Sequence, residues 1–242
     1  MVEPTIADVV RAHARRHAGR EALVFEGRRW TWGKLRVRAS RVANALRGRR
    51  LEPSDRVAVL SRNVSELWEL FLGCALSGTV LCPINFRLVP EHDTVRGLVG
   101  YTGARLVFVG AEYEEFAREA LASLPLGAAD VIALDRDFEA FLLGASDRPP
   151  EVTVAAEDPV AMLHTSGTTG DPKGAVISHG AWIWNGLTEL THPRRAARER
   201  SGAPGHAPGS HRGTHLAGPR PPSSAVPRWC SAGTGIPTSS SS

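Results

Sequence analysis

Lysine is almost missing from this chain. Of its 29 basic residues only Lys34 and Lys173 are lysines, the rest being arginines. A base-composition bias in the gene accounts for that preference, and it makes Lys173 stand out. Cysteine is scarce as well. Cys74, Cys82 and Cys230 have neither metal-site nor disulfide spacing. Cys74 and Cys82 fall in apolar runs, where a buried free thiol is the ordinary outcome, and a reducing cytoplasm is the expected compartment. No cluster of His, Cys and Asp suggests a structural metal. The most apolar window, residues 67–84, is interrupted by Glu69, Gly73, Gly78 and Pro83, too broken to span a bilayer. No charged-then-apolar leader opens the chain, which points away from secretion.

Positive charge is present but unevenly placed. The net charge is +4, yet residues 191–242 carry seven Arg against Glu199 alone, which leaves residues 1–190 near −2. The body therefore does not read as a basic nucleic-acid binder. With 242 residues, 42% hydrophobic and 22% charged, the chain is ordinary for a globular protein of one large domain or two small ones.

What is there centres on residues 158–181, DPVAMLHTSGTTGDPKGAVISHGA. An apolar run at 160–163 has the length of a buried strand. It leads into Thr165, Ser166, Gly167, Thr168, Thr169 and Gly170, then Asp171, Pro172, Lys173 and Gly174, and a second apolar run at 175–177. Small residues let backbone N–H donors approach a ligand closely. Hydroxyls add rotatable donors and Lys173 adds a point charge. Donors plus a cation, with no carboxylate in the innermost six residues, suit a polyphosphate. The spacing is not that of a Walker A loop, because Pro172 precedes Lys173 and Gly174 follows it. Spacing alone also fits a glycine-rich hairpin joining two strands.

The rest of the chain alternates. Thr5 caps an amphipathic helix with Ile6, Val9, Val10 and Ala14 on one face. Strands are expected at 21–25 and around 28–30, turned by Glu26-Gly27. Thr31 caps a helix with Leu35, Val42, Ala45 and Leu46 at helical spacing, and Trp30 and Trp32 are expected in the core. A strand at 56–60 is followed by a helix at 66–76 capped by Asn63 or Ser65, then a strand at 79–84. Helices at 90–101, 112–124 and 138–143 alternate with strands at 105–109 and 131–134. Acidic residues at the start of the 112–124 helix suit its macrodipole. Such regular alternation indicates an α/β fold with a mostly parallel sheet flanked by helices. The Gly/Thr/Ser loop comes last, at the end of a strand, where such sheets place ligands. His164 is expected packed at that strand end. His179 is expected as a cap or surface residue.

The string TSGTTGDPKG between two strands resembles the signature loop of the adenylate-forming superfamily, which holds acyl-CoA synthetases, firefly-type luciferases and peptide-synthetase adenylation domains. ALVFEGRRWTWGKL resembles the superfamily's opening, and LGCALSGTVLCPINFRL its second recurrent block, with a PINFRL ending closer to fatty-acyl CoA ligases. The resemblance implies the incomplete N-terminal domain of an AMP-forming acyl-CoA synthetase using ATP, Mg²⁺ and coenzyme A. A carboxylic acid would be activated to an acyl-adenylate and passed to the CoA thiol. It implies that Thr165, Ser166, Gly167, Thr168, Thr169 and Gly170 wrap the ATP phosphates, that Lys173 neutralises their charge, and that Thr165 lies near Mg²⁺. Asp171 occupies a variable position of the motif.

The resemblance stops near Leu190. Residues 191–242 are 24 Pro, Gly and Ser out of 52, with Leu216, Val226, Trp229 and Ile236 as the large apolar anchors. Such a composition predicts disorder. The adenine, ribose and hinge elements and the C-terminal catalytic Lys of the superfamily find no match, which suggests a truncated or frameshifted product. An Arg-rich arm for RNA or a membrane surface is the rival reading of the tail. For the whole chain the alternatives are a stand-alone phosphate-binding module and a fragment without activity.

Overall fold

Two threonines start the first two helices by the same device. In the computed structural model, Thr5 accepts the N–H of Asp8 while Asp8 returns a carboxylate to the Thr5 N–H, a full capping box for α1 (Ile6–Arg16). Thr31 accepts the N–H of Lys34 at the start of α2 (Trp32–Gly48). Between them β1 (Glu21–Phe25) and β2 (Arg28–Thr31) form an antiparallel hairpin, turned at Glu26 and Gly27 with φ of 46° and 78°. The structure describes residues 3–88, 91–126, 130–165 and 173–191. The inner signature loop, 166–172, and the tail expected to be disordered lie outside the described residues.

The remaining elements are β3 (Arg56–Leu60), α3 (Glu66–Ser77), β4 (Val80–Ile84), α4 (His92–Thr102), β5 (Leu106–Val109), α5 (Glu114–Leu121), β6 (Val131–Ala133), α6 (Leu134–Leu142), β7 (Pro159–Thr165), β8 (Lys173–Ser178) and α7 (His179–Thr191). Six of the strands form one sheet in the order β6-β5-β3-β4-β7-β8, parallel except for β8. The first of these strands, β3, sits inside the sheet, and the chain moves from β4 on one side of it to β5 on the other. That reversal opens a crevice at the carboxyl ends of the strands.

The strands read as unbroken apolar runs because both faces are covered. Val57 and Val59 of β3, with Leu106 and Phe108 of β5, pack in one core with α1, α2, α3 and α6. The alternate residues, Ala58, Leu60, Val107 and Val109, pack in a second core with α4 and α5. Each fully buried Leu, Val or Phe contributes roughly 1.5–3 kcal/mol. Where α2 crosses α3, Gly73 lets the helices meet: a Cβ there would lie 2.2 Å from Val42 Cγ1.

Several expectations shift. The helix expected at 112–124 starts as a 3-10 turn, Ala111–Tyr113, and its α-helical part is Glu114–Leu121. The helix expected at 138–143 begins four residues earlier, at Leu134, because Asp135 and Asp137 supply acidic residues to its first turn. Ser65 occupies the N-cap of α3 but its hydroxyl donates to the Glu66 carboxylate rather than capping the helix. Trp30 is buried, as expected. Trp32 is not a core residue: it is half-buried, with the His13 ring stacked on it at 4.6 Å.

Candidate functional site: the β7–β8 hairpin

β7 runs parallel to β4, pairing Ala161 with Leu81, so its last residue, Thr165, emerges at the carboxyl end of the parallel strands. β8 returns antiparallel beside it, with Thr165 opposite Lys173, His164 opposite Gly174 and Leu163 opposite Ala175. Both flanks of the signature loop are therefore locked in one ladder, the arrangement that the hairpin reading expects. Lys173 is exposed at the base of the loop. Of the seven expected site residues, the structure brings Thr165 and Lys173 together. Ser166, Gly167, Thr168, Thr169 and Gly170 lie outside the described residues.

Gly174 is closely packed. A Cβ at this position would come within 3.0 Å of Met162 Sδ and 3.1 Å of Tyr101 Cε1. The Tyr101 ring also meets His164 edge-on, with centroids 6.1 Å apart. His164 is half-buried at the strand end, as expected, and both its ring nitrogens are shielded from solvent without a hydrogen-bond partner. Burial lowers its pKa, and the nearby Pro83 carbonyl, short of hydrogen-bonding geometry, offsets that only in part. His164 is thus a neutral packed ring beside the loop.

His179 corrects the sequence expectation. It is fully buried at the start of α7, where its Nδ1 accepts the N–H of Ile6 at 3.3 Å. Burial pushes its pKa down to about 4, against the pull of Asp158 and Asp8. A surface role is excluded because α1 closes over it, and the helix start that the ring serves is that of α1 rather than its own, a contact between residues with no local sequence relationship.

Sequence reasoning missed the cations at the same end of the sheet. Arg62 follows β3; its Nε donates to the Tyr113 hydroxyl at 3.1 Å and lies 3.5 Å from Glu112. Arg87 follows β4, the strand next to β7, and stands exposed 5.9 Å from the Phe86 ring. Their signal was positional: each lies just past the carboxyl end of a strand. Among the described residues no group of three or more His, Cys, Asp or Glu gathers to hold a metal. The donor set thus fits phosphate oxygens, whereas for Mg²⁺ the described residues supply only the Thr165 position.

Comparison with known proteins decides the ancestry. The model of the family described as "AMP-binding enzyme" matches residues 10–215. The chain belongs to this AMP-binding family. A fatty acid–[acyl-carrier-protein] ligase of Streptomyces coeruleorubidus is 37% identical over 180 residues, covering 74% of this chain and 34% of the relative. A feruloyl-CoA synthase of an Amycolatopsis species is 34% identical over 198 residues, covering 80% and 37%. The solved structure of Mycobacterium tuberculosis fatty acyl CoA synthetase superposes with a TM-score of 0.65 at 28% identity, covering 72% of this chain and 34% of that one. The chain thus spans about a third of the length of these AMP-binding relatives. No helix among the described residues is long and apolar enough to cross a membrane.

Proposed function

We propose that the β7–β8 hairpin binds the phosphates of ATP as part of an AMP-forming acid–thiol ligase. The observation that carries this reading is the pairing of Thr165 with Lys173 at the carboxyl end of the parallel strands. That ladder holds a hydroxyl- and glycine-rich loop by both ends, with an ammonium at its base. In the full reaction a carboxylate attacks the α-phosphorus of ATP and pyrophosphate leaves. The thiol of coenzyme A then displaces AMP from the acyl-adenylate. This chain's own contribution is positioning and charge stabilisation, the main needs of phosphate-transfer chemistry.

Backbone N–H groups and hydroxyls of Thr165, Ser166, Gly167, Thr168, Thr169 and Gly170 wrap the β- and γ-phosphates. Lys173 neutralises the charge of the leaving pyrophosphate, and Arg62 and Arg87 favour an anion at the same sheet end. Mg²⁺, when bound near Thr165, supplies further neutralisation of the phosphates. The substrate acid belongs to the class used by acyl-CoA ligases, in a cytoplasmic setting. Residues 1–190 form the partial AMP-binding domain, and residues 191–242 form a separate segment.

Calorimetric titration of the 242-residue chain with ATP tests this. Saturable binding is expected, weakened about tenfold or more in Lys173→Ala, as for loss of a charge-assisted hydrogen bond. Absence of binding by the unaltered chain, or equal binding by the variant, sinks the proposal. Because the chain spans about a third of its relatives, a phosphate-binding module without the reaction is the second reading. Acid-dependent exchange of pyrophosphate into ATP separates the two.

A further inference from the structure

The near-neutral average charge conceals a division of the molecule. Residues 11–50 contain thirteen Arg and Lys against Glu21 and Glu26, a balance of +11. Residues 51–190 contain nine Arg and Lys against twenty Asp and Glu, a balance of −11. The cationic part is one structural unit: α1, the β1–β2 hairpin and α2. α2 has five basic residues and no acidic one.

Several of these cations face outward. Lys34 and Arg41, seven residues apart on α2, are both exposed beside the apolar stripe of Leu35, Val42 and Leu46, while Arg38 between them turns inward to Glu69 and Glu139. His13 stacked on Trp32 brings the end of α1, with exposed Arg15 and Arg16, against the start of α2. Arg28 and Lys34 both lie over the Trp30 ring, at 4.7 and 5.8 Å, which ties the hairpin to the same face. From Lys34 to Arg47 the distance along α2 is about 20 Å. Arg47 in the last turn of α2 and Arg50 just beyond it are also exposed.

The carboxylates of the acidic part are in good measure paired within the chain. Glu114 holds Arg118 and Arg136, Glu69 and Glu139 hold Arg38, Asp55 holds Arg105, and Asp93 holds Arg96. By contrast Arg15, Arg16, Arg20, Lys34, Arg41, Arg47 and Arg50 form no salt bridge among the described residues. The exposed carboxylates in no salt bridge, such as Glu52, Glu115, Asp135 and Glu157, are scattered over separate helices and loops, so a second copy presents no single acidic helix face to this array.

We propose that this face docks on a membrane surface carrying acidic phospholipid headgroups. A lipid surface requires only an outward array of cations, each contributing near the surface without a fixed partner. A nucleic acid asks for more. Trp30 is 2% exposed and Trp32 lies beneath His13, so neither ring is presented for base stacking. α1 and α2 are packed on the core, so neither enters a groove. The inference does not rest on the nucleotide reading of the β7–β8 hairpin.

Flotation of the 242-residue chain with vesicles tests it, using phosphatidylcholine with or without phosphatidylserine. Binding to the phosphatidylserine vesicles at low salt, lost at high salt and weak on phosphatidylcholine alone, is expected. Neutralising Arg15, Arg16, Lys34 and Arg41 to Gln should weaken binding about fivefold for each cation removed. Arg96→Gln, on α4, should leave it unchanged. The tail is also basic, so a variant with Arg194, Arg195, Arg198 and Arg200 changed to Gln is a separate arm. The inference is overturned if the tail variant loses binding while the four-site variant keeps it. It is equally overturned if both vesicle types bind alike, or if a DNA duplex at the same salt binds more tightly than the acidic vesicles.

Discussion

Ile6 and His179 are 173 positions apart, yet the Ile6 N–H donates to His179 Nδ1. The first turn of an α-helix has no backbone acceptors for its N–H groups, so a buried start needs a partner from elsewhere. Here the first helix is capped by the last helix of the described fold. The arrangement requires a neutral imidazole, because a protonated Nδ1 would set a donor against a donor. Burial keeps it neutral, holding its pKa near 4.

The His179 ring therefore makes stability depend on pH. The folded pKa is depressed from the ordinary 6.5 to about 4, so the unfolded chain binds the proton first. The contribution is complete above pH 6.5 and is lost as the pH falls toward 4. Its full size is about 3 kcal/mol. Asp8 and Asp158 face the ring and draw its pKa up, against this effect. Urea midpoints for the chain should fall across this window, and those of His179→Gln should fall less steeply. Equal slopes would show that another group governs the titration.

The buried carboxylate of Glu69 is the second electrostatic test. It accepts Trp30 Nε1 at 3.0 Å and Arg38 Nε at 2.7 Å, while Arg38 also grips Glu139. Burial raises the Glu69 pKa, and Arg38 and Trp30 work against that. Arg38→Met should cost about 3–5 kcal/mol, because it leaves a buried charge unpaired. The double variant Arg38→Met/Glu69→Leu should be more stable than Arg38→Met alone. Additive losses in a double-mutant cycle would rule this out.

Gly73 makes a steric prediction. Val42 Cγ1 and Cβ would lie 2.2 and 2.5 Å from an added Cβ. Gly73→Ala should thus destabilise by about 1–3 kcal/mol despite alanine's better helix propensity. Val42→Ala in the same chain should restore part of the loss, as read from denaturation midpoints. A stabilised Gly73→Ala would mean that α2 and α3 cross farther apart.

Gly174 links packing to the proposed site. Met162 and Tyr101 would lie about 3 Å from an added Cβ, and the Met thioether can shift where backbone could not. Gly174→Ala should therefore fold with a loss of roughly 1 kcal/mol or less, whereas Gly174→Val should displace the strand that carries Lys173. ATP affinity, measured by titration, should fall in the valine variant and stay close to normal in the alanine variant. Unchanged affinity in both would separate the register of β8 from ligand binding.

Much of this was legible in the residues. The α/β class followed from alternating periods. The caps at Thr5 and Thr31 and the loop TSGTTGDPKG were readable because helix starts and ligand loops are written in adjacent residues. The start of α6 at Leu134 was not, since a buried helix turn and a strand end look alike in a short apolar run. Trp32 read as core because apolar character carries no direction, and the stacking His13 comes from another helix.

Adjacent residues alone set the local grammar: elements, caps, and a hydroxyl- and glycine-rich loop between two strands. Tertiary structure alone decided which distant groups share a dielectric. It set His179 beneath Ile6, paired Glu69 with Arg38, and left Arg15, Arg16, Lys34 and Arg41 of α1 and α2 exposed and outside any salt bridge among the described residues. Periodicity reports the face on which a side chain lies, but not what that face meets. Burial and charge pairing depend on that meeting, and it is fixed only when the helices pack against the sheet.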